Sequence, residues 1–458
     1  MPFVTLPKEK NVRIYYEFYN NSFDRKKPTV LVLPPTISCS AVILQHVFPQ
    51  LPEITRNFNC LSLDLRGHGR GDSERRKDID CFVFAVDIAF VLNALKITSV
   101  HLVGNSYVSG PTAFAFTVMF PTAVLSLSIL GVAPVNSIPS QIGAVMELLE
   151  GWLQGEDEEA LFESMTAILD LAFTASLIEM DLDLRDWLST MWFRRIGPHR
   201  AKSTFVVTAP VLINPGITPE ESATIACPVL LVQGTDDMMK GTPVAQEVLD
   251  SLIGTDDVSL ITVEAGVCFV GIANISDSGP ILTQFLLSHA SILPSPIPIV
   301  FPAPPRTASE PFTSLSYCRY DESDPLLNQV WELCCQLDGK CFVTFADREK
   351  EAWEEGGRLH EMHKHKWRFS QRNRNARPIS RRGSVPMICK QDQSTSVITV
   401  EDFPLPPLEG YGNYRRLSGV SSSVEFKMEC WKWDSPAPFS SKESGMVAIV
   451  NEAKEESA

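Results

Sequence analysis

Positive charge is scarce in this chain. Its 458 residues carry 40 Lys and Arg against 55 Asp and Glu, a formal net charge of −15. A surface that grips phosphate backbones needs clustered cations, so no nucleic-acid binding is expected of the core. The cysteines lack a pattern: there are 11, an odd count, scattered, with no C-x-x-C pair and no Cys/His metal spacing. Their one cluster, Cys334-Cys335 with Cys341, suits neither a single bridge nor a single zinc, because adjacent cysteines are poor partners for each other. Neither metal nor cofactor is expected, and a reduced, cytoplasmic compartment fits best. The opening Met1-Pro2-Phe3-Val4-Thr5-Leu6-Pro7-Lys8 has neither the basic start nor the unbroken apolar run of a secretory signal. No membrane span is expected either: the most apolar stretch, residues 113–135, contains Pro121 and reads as a buried helix followed by a core strand.

What is present is ample apolar material, 44% of the residues, in a chain longer than one typical domain. Residues 3–33 alternate apolar and polar positions twice, then reach Thr29-Val30-Leu31-Val32-Leu33, a run suited to a strand buried on both faces. Short apolar runs then alternate with helical patterns such as residues 82–95, which favours a parallel sheet flanked by helices. Residues of about 137–222 change character, with apolar and acidic positions interleaved at helical spacing over 146–153 and 161–184. The strand pattern resumes at 227–232 and 258–263, and a last helix is expected over 280–293. Pro294, Pro296, Pro298, Pro302, Pro304, Pro305 and Pro311 then mark a linker over 294–312, because proline continues neither a helix nor a central strand. The boundary between folded and unfolded chain is expected between residues 293 and 311. The remainder, 313–458, is rich in Ser, Arg, Glu and Pro with poor periodicity and reads as mostly disordered, with one helix around 326–337.

Three ordered motifs carry chemistry. Val100-His101-Leu102-Val103-Gly104-Asn105-Ser106 runs as a strand into a sharp turn, and Gly110-Pro111-Thr112-Ala113 opens a helix behind it. Such a layout holds a serine hydroxyl at the tip of a strand, as in the G-x-S-x-G elbow, although a simple helix cap is the plainer alternative. Leu61-Ser62-Leu63-Asp64-Leu65-Arg66-Gly67-His68-Gly69-Arg70 is a second strand and loop, and Pro228-Val229-Leu230-Leu231-Val232-Gln233-Gly234-Thr235-Asp236-Asp237 a third. Together, over residues 1–293, they resemble the α/β-hydrolase superfamily, in particular its small esterase, lactonase and haloperoxidase-like members. The resemblance implies an α/β fold with a mostly parallel central sheet. It makes residues 137–222 a helical lid insertion, or else a peripheral helix pair over the sheet edge.

The resemblance also assigns roles. Ser106 takes the place of the nucleophile and Asp237 that of the acid, with Asp236 as the alternative and a plain turn role open to either. The oxyanion donors would be the backbone N–H groups of Tyr107 and of Thr36, since Pro34-Pro35 stand where the family carries His-Gly and proline has no N–H. Two positions depart from the family. Val108 replaces the second glycine of the elbow, and the loop Val263-Glu264-Ala265-Gly266-Val267-Cys268-Phe269 places Val267 or Cys268 where histidine is expected. No histidine occurs between Asp237 and His289. Loss of a triad histidine costs on the order of 10⁶ in turnover, leaving about 10³ to 10⁴ over water. Asp64 and Arg66 read as loop ties.

The tail gathers nine Arg and Lys over residues 358–382, around Trp367 and Phe369. This is either a binding segment for an anionic partner or a solvated stretch. Arg381-Arg382-Gly383-Ser384 and Arg415-Arg416-Leu417-Ser418 match a basophilic-kinase pattern, which makes Ser384 and Ser418 phosphorylation candidates and a kinase or protein partner conceivable for the tail. Two functions follow. One is a degenerate hydrolase that binds a small apolar or ester-like ligand with little or no turnover. The other is a working serine esterase or lactonase that draws its base from elsewhere.

Overall fold

The computed structural model describes residues 2–133 and 216–319, with short breaks at 8, 10–11, 36–37, 74–75, 77, 238–240, 293–296 and 305–312. It also describes 384–389, 396–399 and a few isolated positions. Most of the lid expectation over 137–222, up to residue 215, and most of the tail, including Ser418 and 358–382, lie outside the described residues.

One sheet organises the chain. Its strands are β1 (Phe3–Thr5), β2 (Arg13–Phe18), β3 (Thr29–Val32), β4 (Asn59–Asp64), β5 (Val100–Asn105), β6 (Val124–Leu130), β7 (Val229–Gly234), β8 (Val258–Val263), β9 (Ser384–Cys389) and β10 (Ser396–Thr399). They are ordered β1-β2-β4-β3-β5-β6-β7-β8-β9-β10. From β4 across to β8 every pair is parallel, while β1, β2, β9 and β10 join antiparallel. Parallel strands need helical crossovers that cover both faces of the sheet, and the sequence matches: β3 through β7 are buried at every position. The crossovers include α1 (Pro52–Asn57), α2 (Cys81–Leu95), α3 (Ser106–Met119) and α4 (Gly241–Ser251), and α5 (Ile275–His289) follows the last parallel strand. Among the described residues no helix is long and apolar enough to cross a membrane.

The start of α2 shows how sequence fixes a boundary. Asp80 is extended and its side chain accepts the Phe82 and Val83 N–H groups at 3.0 Å, satisfying two donors that the first helical turn leaves open. At the other end Lys96 turns left-handed (φ 59°) and stops the helix. The last helix begins five residues earlier than the sequence pattern suggests and carries Pro280 inside it.

Packing continues past the expected boundary. Phe301 stacks on Phe90 and Phe120, Asn93 donates to the Ile299 carbonyl at 3.1 Å, and Tyr317 and Cys318 are buried. Arg319 donates its backbone N–H to Asp80 at 2.6 Å and lays its guanidinium 3.7 Å over the Phe82 ring. Residues 297–304 and 313–319 therefore form a strap across α2. Farther along, Ser384 is the first residue of β9, and Trp331, in the stretch where one helix is expected, packs against the core.

Candidate active site

The elbow is built by β5 feeding directly into α3. Ser106 takes φ 59°, Tyr107 is extended at ψ 174°, and Val108 takes φ 46° and ψ −60° before regular helix begins. The helix comes so close to the strand that a Cβ on Gly104 would meet the Ser109 carbonyl at 2.8 Å and the Ala113 Cβ at 3.0 Å. Only glycine fits there. The second glycine is missed for a different reason, its backbone: a β-branched residue at positive φ costs about 1–3 kcal/mol. Val108 is 1% exposed, so burial of its side chain, worth roughly 1.5–3 kcal/mol, offsets that strain.

Two tethers hold the turn. Asn105 Nδ2 donates to the Leu33 carbonyl at 2.7 Å, and Ser109 Oγ donates to the Pro34 carbonyl. Both reach the loop that leads to Thr36, which itself lies outside the described residues. Asp64 braces the same neighbourhood by accepting the Ser40 N–H at 2.5 Å and the Arg70 N–H at 2.8 Å. Arg66, wholly buried, forks onto Asp87 at 2.8 and 2.9 Å and pairs with Glu9. Burial opposes its charge, but the two carboxylates outweigh that and raise its pKa. These contacts make Asp64 and Arg66 ties between loops.

Ser106 and Asp237 lie beyond the carboxyl ends of β5 and β7, on one edge of the sheet. Asp237 is 5% exposed and its Oδ2 accepts Gln233 Nε2 at 2.9 Å. Asp236 is exposed; its backbone N–H binds the Gly266 carbonyl at 2.8 Å and so joins the acid turn to the loop after β8. In that loop the side chain facing the serine is Cys268, with its Sγ 3.2 Å from Ser106 Oγ. Val267 is buried and its N–H donates to Asn274 Oδ1 at 3.1 Å. Of the two positions the sequence left open, Cys268 is thus the one at the serine.

The four described histidines are engaged elsewhere. His46 Nε2 lies 3.2 Å from the Ile272 carbonyl, His68 Nδ1 3.0 Å from the Arg66 carbonyl, and His101 Nδ1 2.8 Å from Ser126 Oγ. His289 bonds Asp257 at 2.9 Å and the Phe285 carbonyl at 2.7 Å. Tyr107 does not supply a base: burial first, then the nearby Cys268 and Asp237, hold its phenol well above the ordinary value and keep it protonated. Among the described residues no group of three or more His, Cys, Asp or Glu is placed to hold a metal ion. Gln233 went unnoticed in the sequence. Its signal was a polar residue at the end of the apolar run Val229-Leu230-Leu231-Val232, still within β7.

Known structures share this architecture. A hydrolase from Pseudomonas aeruginosa PA01 aligns with a TM-score of 0.51 at 19% identity, covering 63% of this chain and 98% of its own. A thermophilic esterase from Thermogutta terrifontis, solved with malate bound, gives 0.51 at 14% over the same shares. An esterase from Exiguobacterium antarcticum gives 0.50 at 18%, again covering 63% and 98%. At these identities the likeness is one of fold. No curated protein matches the sequence. The sequence model of the alpha/beta hydrolase fold matches residues 29–259, half of the chain. With the parallel sheet, the elbow after β5 and that match in hand, the chain belongs to the alpha/beta hydrolase fold family.

Proposed function

We propose that the chain is a hydrolase-fold protein that holds a small apolar or ester-like ligand beside Ser106 with little or no turnover. The observation that carries this reading is the 3.2 Å approach of Cys268 Sγ to Ser106 Oγ. Acyl transfer through a serine requires a neighbour that takes the hydroxyl proton and later returns it to the leaving group. An imidazole does both near neutral pH, whereas a thiol with an ordinary pKa of about 8.5 is largely protonated there and a weak acceptor. The surrounding geometry supports binding. The elbow keeps its strained serine, and the Tyr107 N–H stands at the head of α3, where a carbonyl oxygen is well received.

The test is hydrolysis of p-nitrophenyl acetate and butyrate by the full chain and by Ser106→Ala. Both proteins should run at the same near-background rate. Turnover of ordinary enzyme size, about 1 to 10³ per second, that vanishes in Ser106→Ala would establish the working esterase instead. For the tail we propose kinase access at Ser418, on the strength of its R-R-x-S pattern; Ser384 carries the same pattern but is paired with Thr399 in the sheet.

A further inference from the structure

We infer that Gln233 is a positioning residue that takes over the carboxylate of Asp237 and ties it to the stem of the insertion, so that the acid braces the wall behind Ser106. The inference rests on the reading of Ser106 and Asp237 as the nucleophile and acid positions.

Gln233 is fully buried on β7 and uses both ends of its carboxamide. Nε2 donates to Asp237 Oδ2 at 2.9 Å, and Oε1 accepts the Val132 N–H at 2.8 Å. A carboxamide is suited to this place. Glutamate has no donor for the carboxylate and would add a second buried anion; leucine has neither donor nor acceptor.

The chain of contacts continues toward the serine. Gly131, next to Val132, sits at φ 76° with its Cα against the Cys268 carbonyl; a Cβ there would run into that oxygen and lie 3.6 Å from the Ser106 Cβ. Asp237, Gln233, Val132 and Gly131 thus form one line of support ending at Cys268 and Ser106. In a working triad the carboxylate orients the base by accepting its N–H. Here Gln233 donates an N–H to Oδ2 and occupies one acceptor site of the carboxylate.

It follows that a histidine placed at 268 gains a base without its full orienting partner. The experiment compares Cys268→His with Gln233→Met/Cys268→His in the full chain, reading kcat, KM and the pH profile on p-nitrophenyl acetate. Methionine keeps the volume and removes the donor. The double variant should exceed the single one by roughly 100-fold in kcat, the low end of what a positioned base contributes, with KM little changed. Its rate should rise through an ionisation near histidine's ordinary value of about 6.5, and Asp237→Asn added to it should abolish the gain. Equal and measurable kcat in the single and double variants overturns the inference.

A second measurement covers the case in which neither variant turns over: urea midpoints for Gln233→Met, Asp237→Ala and the pair. Shifts that fall short of additive support the link, and additive shifts overturn it. Ser106-dependent turnover in the unmodified chain would sink the preceding reading alone, because the comparison between variants reads Gln233 separately.

Discussion

Acid should destabilise this fold through two buried histidines before its carboxylates matter. Burial lowers the pKa of His68 to about 4. His101 is also lowered to about 4, by burial and by the nearby His289. In the unfolded chain each returns to about 6.5. The native state therefore binds fewer protons. The stability due to these rings is complete above pH 6.5 and is lost as pH falls from 6.5 toward 4. At pH 5 each ring has lost about 1.5 pH units of linkage, or about 2 kcal/mol, and the pair about 4 kcal/mol. That is a large part of the 5–15 kcal/mol typical of a folded domain. Urea unfolding at pH 7 and pH 5 measures it, with the m-value checked for constancy. His101→Gln should lose about 2 kcal/mol less stability between the two pH values than the unmodified chain. Asp80, whose pKa is raised by burial, works in the opposite direction and cancels in the comparison. If the variant loses as much as the unmodified chain, His101 does not stay neutral in the fold and the argument fails.

Arg66→Met should destabilise by about 3–5 kcal/mol, because it strands Asp87 and Glu9 as buried carboxylates; a change under about 1 kcal/mol in urea unfolding would contradict the buried network. The strap makes a prediction about length. A chain ending at residue 319 should melt higher than one ending at 304 by roughly 4–10 °C, given the burial of Tyr317 and its neighbours. Equal melting temperatures would mean that residues 313–319 add nothing to the folded unit.

Much of the fold was legible because its signals are periodic. Mostly apolar runs at 29–33 and 258–263, broken only by Thr29, Ser259 and Thr262, mark strands of the parallel sheet, and each is one. The elbow was legible because glycine, serine and the following helix occur in a fixed order. The strap was hidden by its prolines. They forbid helix and central strand, yet they leave a chain free to lie extended on a surface, and its anchors are Phe301, Tyr317 and Arg319, single residues with no period to detect. The choice between Val267 and Cys268 was equally closed to sequence, since a loop without hydrogen-bonded register does not say which side chain turns inward. Gln233 belongs to the same class. Its partners, at positions 132 and 237, meet only when β6 and β7 pair.

The strained elbow deserves weight in judging function, and the weight is modest. Ser106 and Val108 hold positive φ values at a cost of about 1–3 kcal/mol each, which persists only where the surroundings over-determine the backbone. Here they do: Gly104 lets α3 press on β5, Asn105 grips the Leu33 carbonyl, and Ser109 grips that of Pro34. None of these contacts involves a proton-transfer group, so the buried serine at the carboxyl edge of the sheet is a property of the fold and would survive the loss of catalysis. A fold hosts many functions, and the chemistry resides in the groups set upon it. At this site the deciding group is the one facing Ser106 Oγ. That group is a thiol, 3.2 Å away, while the acid beyond it is bound to an amide.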